Sequence, residues 1–116
     1  MTTANKQTVQ KYMDGFNAGD HALILACLTD DVAWYMPGHF DLQGKVAFDD
    51  EIENENFVGR PVITISRMLE EGEVVIAEGA VKCQMKTGGT LDALFCDVFE
   101  MEKGKIKKLT TYLMTK

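Results

Sequence analysis

A carboxyl group stands between two aromatic rings in the stretch Phe95-Cys96-Asp97-Val98-Phe99. Side chains alternate along an extended chain, so Phe95, Asp97 and Phe99 share one face, and Leu94, Cys96 and Val98 share the other. Both faces are apolar, and Thr90–Met101 therefore reads as a central strand covered on both sides. A carboxylate on a buried face must pair, accept hydrogen bonds or take up a proton. Asp97 is then either a functional acid or base, or a structural Asp satisfied by a backbone amide or a Lys. Lys82 beside it would hold it ionised and leave it an acceptor.

Three other residues have chemistry to offer. Tyr12 lies in an apolar helical stripe, where its hydroxyl needs a partner once the ring is buried; a donor to a ligand and a core Tyr bonded to a carbonyl both fit. Glu78 sits between Ala77 and Gly79, an apolar setting for a carboxylate. It is a second buried acid or a cross-face partner of Lys82. His39, two residues before Asp41, could move a proton or form part of a solvated loop. The acidic run Asp49, Asp50, Glu51, Glu53 and Glu55 carries no His at ligand spacing, so it reads as a solvated helix face and not a metal centre. No cofactor motif is read.

The elements that position these groups follow from periodicity. Val9, Tyr12, Met13 and Phe16 fall at i, i+3, i+4 and i+7 of a helix from about Asn5 to Ala18, ended by Gly19. Asp20 caps a short apolar helix, His21 to Leu28, with Ile24, Cys27 and Leu28 inward. Asp31–Met36 reads as a strand stopped by Pro37-Gly38, with Trp34 and Met36 on one face. His39–Leu42 reads as loop. A third helix is expected from Lys45 to Phe57, with Phe48, Ile52 and Glu55 on its inner side. From Pro61 the chain becomes a meander of four strands, 62–69, 73–86, 90–101 and 105–115, joined by turns too short for anything but antiparallel hairpins. Gly79 in mid-strand marks a bend or bulge.

The 116 residues suit one domain, 1–116, and 46% hydrophobic content supports a core. A net charge of −6 excludes the basic footprint of a nucleic-acid binder and disfavours an anionic membrane surface. No apolar run approaches the roughly 20 residues of a membrane span, and the first residues lack the apolar core of a signal peptide. Cys27, Cys83 and Cys96 are an odd count without metal-type spacing. A reduced, cytoplasmic protein is expected.

Helices first and a curled antiparallel sheet after them make an α+β fold, a cone of three helices on a curved sheet that encloses a pocket. Its walls are expected to carry Trp34, Met36, Phe48, Ile52, Phe95 and Phe99, with Tyr12, Glu78 and Asp97 as the convergent polar groups. A small apolar ligand is the expected partner. Leu94, Cys96, Val98 and Val81 predict an apolar outer face and a homodimer through it.

Gln10-Lys11-Tyr12, Asn17-Ala18-Gly19-Asp20, Thr29-Asp30-Asp31-Val32 and the terminal meander resemble the nuclear transport factor 2-like superfamily. Within it, the chain is similar to ketosteroid isomerases and SnoaL-like polyketide cyclases over nearly its whole length. The resemblance implies a cystatin-like cone. In ketosteroid isomerases a Tyr and a protonated Asp together donate to an enolate oxygen; Tyr12 and Asp97 match them. The general base of those enzymes, an Asp just before the Pro that ends the first strand, is replaced by Met36. A thioether cannot shuttle a proton, so Asp97 itself, Glu78 or His39 would have to serve. The superfamily also contains binding modules and dimerisation domains, so the fold alone leaves enzyme and non-catalytic pocket both open.

Overall fold

The computed structural model describes residues 3–52 and 57–116. The element order is α1 (Ala4–Ala18), α2 (His21–Ala26), β1 (Leu28–Met36), β2 (Phe40–Gln43), α3 (Lys45–Ile52), β3 (Phe57–Glu71), β4 (Val74–Met85), β5 (Thr90–Glu102) and β6 (Lys105–Thr115). All six strands join one sheet in the order β2-β1-β6-β5-β4-β3. The three hairpins from β3 to β6 are antiparallel, as their turns require, whereas β1 runs parallel to β6. The sheet is strongly curled, and the helices fill its concave side.

The α1 stripe is buried as its spacing dictates: Val9, Tyr12, Met13 and Phe16 all lie in the core. Thr3 caps the helix by accepting from the Lys6 amide, and Gly19 closes it at φ 67°, a left-handed conformation that glycine adopts without a Cβ clash. Asp20 accepts from the Leu23 amide and starts α2 at once. The two helices are locked by a close approach, since a Cβ on Gly15 would lie 2.8 Å from Ile24 Cγ1. His21 on α2 is half-buried and meets Asp49 of α3 at 2.6 Å, Nδ1 to Oδ1.

Gly79 is the bend in β4. A Cβ there would stand 2.0 Å from the Thr64 carbonyl oxygen and 2.9 Å from Phe95 Cζ, so only glycine lets β3 and the Phe95 ring close in. The β3–β4 register slips beside it, between Ile65 and Arg67. Bulges of this kind increase local twist and bend the sheet.

Several expectations are corrected. Phe40–Gln43 is not loop but strand β2, paired antiparallel with Ala33–Met36. The second helix stops at Ala26, and Leu28 already belongs to β1. Helix α3 is described over Lys45–Ile52; the expected continuation through Glu53 and Glu55 lies outside the described residues, and Phe57 opens β3. Strand β5 is central but covered on one side only within this chain: Leu94 is 46% exposed, while Phe95 and Phe99 opposite are buried. Val81 pairs with the buried Ala93 and so faces the concave side, not the outer face.

Candidate functional site

The open end of the cone holds a cavity of about 770 Å³. Its floor is polar and its walls are apolar. Tyr12 from α1, Asp97 from β5 and Thr111 from β6 supply the floor; Trp34, Ile52, Ile63, Phe95 and Leu113 are among the walls. Met36 lines the same cavity, as do His39 and Glu51. His39 is exposed, in the turn where its amide donates to the Met36 carbonyl at 2.9 Å. Residues 85 positions apart, Tyr12 and Asp97, thus meet in one cavity because α1 lies across the concave face on which odd-numbered β5 side chains stand.

Aromatic packing fixes Tyr12. Its ring centroid lies 5.0 Å from that of Phe16, 5.5 Å from Phe99 and 6.1 Å from Phe48. Phe48 also stacks on Trp34 at 4.5 Å. Phe48 and Phe99, expected in the wall, stand behind it: both are wholly buried and hold Tyr12 and Trp34 in place. Ring pairs of this geometry add roughly 0.5–1.5 kcal/mol each beyond area burial.

Burial pushes the Asp97 carboxyl up to about 7, with a hydrogen bond from Thr111 pulling the other way. Asp97 is 7% exposed, and its Oδ1 has no hydrogen-bond partner. Removing an unpaired carboxylate from water penalises the charged form, which is the cause of the shift. Tyr12 rises well above its usual range, first from burial and then from the Asp97 charge, so it stays a donor. The cavity therefore offers one permanent donor and one group poised between acid and base at neutral pH.

Lys82 does not disturb this balance. It is exposed, and its register partner is Asp92. Glu78 is also absent from the cavity: it pairs with Cys96 across β4–β5, on the outer face, and bonds Arg67. That hydrogen bond holds it below the usual carboxylate range, so it is a solvated anion on the wrong side of the sheet. Thr111 was not read from the sequence as a site residue. Its signal was present, because Leu109-Thr110-Thr111-Tyr112-Leu113 places a polar group between two apolar ones at period two, as Phe95-Asp97-Phe99 does. Among the described residues, no cluster of His, Cys, Asp and Glu could hold a metal ion, and no helix is long and apolar enough to cross a membrane.

The family model of the SnoaL-like domain matches residues 9–109. No curated protein matches the chain. Among solved structures, the chain is similar to a protein assigned as a polyketide cyclase from Xanthomonas campestris pv. campestris, at 27% identity and a TM-score of 0.79, covering 94% of this chain and 89% of that one. It is similar in fold to an LEH-like epoxide hydrolase of M. tuberculosis, at 19% identity and a TM-score of 0.85, covering 97% and 84%. A protein assigned as a ketosteroid isomerase from Kribbella flavida matches at 17% identity and a TM-score of 0.80, covering 97% and 79%.

Proposed function

The chain belongs to the SnoaL-like domain family, and on that premise we propose that its cavity binds a small, largely apolar carbonyl or phenolic compound and catalyses an enolate-type isomerisation or cyclisation. The observation that carries the reading is a buried Asp97 with an unpartnered oxygen in the same cavity as Tyr12. The Tyr12 hydroxyl donates to the ligand oxygen and stabilises the charge that develops there. Asp97 moves the proton, because a carboxyl near 7 is populated in both states at neutral pH and sits where general acid–base catalysis is most efficient. The apolar walls exclude water and strengthen both interactions. Similarity to a protein assigned as a polyketide cyclase supports this class of chemistry.

Exchange of the α-protons of 2-tetralone in deuterium oxide tests it. The wild-type protein should accelerate exchange at least about 100-fold over buffer, the low end for a positioned general base, and Asp97→Asn should lose that acceleration. Exchange at the buffer rate would leave the non-catalytic reading, a ligand-binding or dimerisation module of the same fold.

A second copy of the chain on the outer sheet face is part of the proposal. Leu94, Tyr112 and Met114 are 46%, 52% and 68% exposed there, a contiguous apolar surface of the kind that marks an interface. Sedimentation at micromolar concentration should give a dimer, and Tyr112→Glu a monomer.

A further inference from the structure

We infer that Thr111 is a positioning residue which, held by Trp34, dictates the oxygen of Asp97 that carries the proton. This rests on the acid–base reading of Asp97 above, but the arrangement stands on geometry of its own. Trp34 Nε1 lies 3.1 Å from Thr111 Oγ1, and both side chains are buried. An indole N–H can only donate. The Thr111 oxygen therefore accepts from Trp34, and its single proton must point elsewhere. Thr111 is the cross-strand register partner of Asp97, with both side chains on the concave face. Directly opposed side chains lie within about 5.5 Å at Cβ, which makes the Asp97 carboxyl the acceptor that the Thr111 proton faces, and Thr111 is the group that pulls the Asp97 carboxyl back down.

The direction of the chain is thereby set: Trp34 donates to Thr111, and Thr111 donates to Asp97. A protonated Asp97 that donated to Thr111 instead would fill the second lone pair of that oxygen and leave the buried Thr111 proton without an acceptor among the described residues, so the direction is kept in both states. The carboxyl oxygen that receives the Thr111 proton is an acceptor in both states. The acidic proton then belongs on the other oxygen, Oδ1, the one with no partner in the chain. Proton gain and loss are confined to a single atom, and the carboxyl group cannot turn end for end without losing its only hydrogen bond. The remaining ionisable side chains that line this cavity among the described residues are Tyr12 on α1, His39, Glu51 on α3 and Cys83 on β4.

Ligand-free titration tests this independently of any turnover. The chain has one tryptophan, so its indole N–H gives one proton–nitrogen resonance. In the wild-type protein that resonance should shift with pH at the same midpoint as the carboxyl carbon of Asp97. Thr111→Val should abolish the indole response and raise the Asp97 midpoint by about one pH unit, since it removes a bond to the charged form; Thr111→Ser should retain both. An indole resonance indifferent to the Asp97 titration overturns the inference even if no variant folds, as does an unmoved midpoint in Thr111→Val. If these titrations behave as expected while 2-tetralone exchange stays at the buffer rate, the catalytic reading fails and the positioning role stands.

Discussion

The Asn17 side chain grips Ile63 by both ends of its amide. Asn17 Nδ2 donates to the Ile63 carbonyl at 3.0 Å, and the Ile63 amide donates to Asn17 Oδ1 at 2.7 Å. Strand β3 is the edge of the sheet, and its outward groups at Ile63 would otherwise await another strand. One side chain stands in for that strand and ties the end of α1 to it. Asn17→Ala should cost about 1–2 kcal/mol by loss of two exposed hydrogen bonds. Asn17→Asp should also destabilise, because a carboxylate still accepts from the Ile63 amide but cannot donate to the carbonyl and sets a negative oxygen against it. Urea midpoints check both, and faster amide exchange at Ile63 should accompany them.

Asp97 makes stability depend on pH in a stated direction. Its folded pKa is raised from 3.8 to about 7, so its contribution is fully present below the unfolded value and is lost as pH rises through the folded one. Between these limits the unfolded chain has released the proton and the folded chain retains it. Over that window the wild-type protein should lose about 4 kcal/mol of stability relative to Asp97→Asn, from 1.36 kcal/mol per pKa unit. Denaturant unfolding of both proteins at pH 5 and pH 8 captures the part of the window above pH 5, about 2.7 kcal/mol at 1.36 kcal/mol per pKa unit; parallel behaviour of the two would contradict the buried neutral acid.

Phenols probe the donor pair. Affinity should rise with phenol acidity at fixed pH, because Tyr12 and neutral Asp97 both favour a negatively charged oxygen. For a phenol already ionised at pH 6, affinity should fall as Asp97 ionises, approaching about tenfold per pH unit above its pKa if only the neutral form binds. Asp97→Asn should flatten this profile and weaken binding less than Asp97→Ala. Trp34, in the cavity wall, supplies a fluorescence signal for the titration.

Met36 lines the cavity, and the resemblance to ketosteroid isomerases sets it at the position of their base. The wild-type protein should be nearly inert toward a β,γ-unsaturated ketosteroid. Met36→Asp should raise isomerisation by about 100-fold or more, the lower range for a general base. Robust wild-type turnover, followed by the absorbance of the conjugated product, is the result that contradicts this.

Local patterns carried much of this protein in the sequence. The four-residue stripe of α1, the Gly19-Asp20 boundary and the three hairpins all depend on neighbours a few residues apart, and each has the form its spacing requires. The burial of Asp97 was legible for the same reason. What was missed depends on distant partners. Strand β2 is four residues long and exists through β1, while β1 is held by β6 some 75 positions away. The face taken by Glu78 turns on the parity of one hairpin: pairing Ala77 with Asp97 places odd residues of β4 inside, which removes Glu78 from the site and admits Val81.

The strand order has a consequence for synthesis. Strand β6, the last to leave the ribosome among the described elements, lies between β1 and β5 and is the only strand that joins the β1–β2 hairpin to the rest. A nascent chain that ends before Lys105 has two pieces of sheet and no bridge, with Trp34 and Asp97 each lacking Thr111. Folding must therefore wait for β6, and its rate-limiting contacts are long-range, a topology that folds slowly. Until then the inner faces of β1 and β5 are open to chaperones and to aggregation. A stop codon just before Lys105 should abolish the native fold altogether instead of trimming one edge from it.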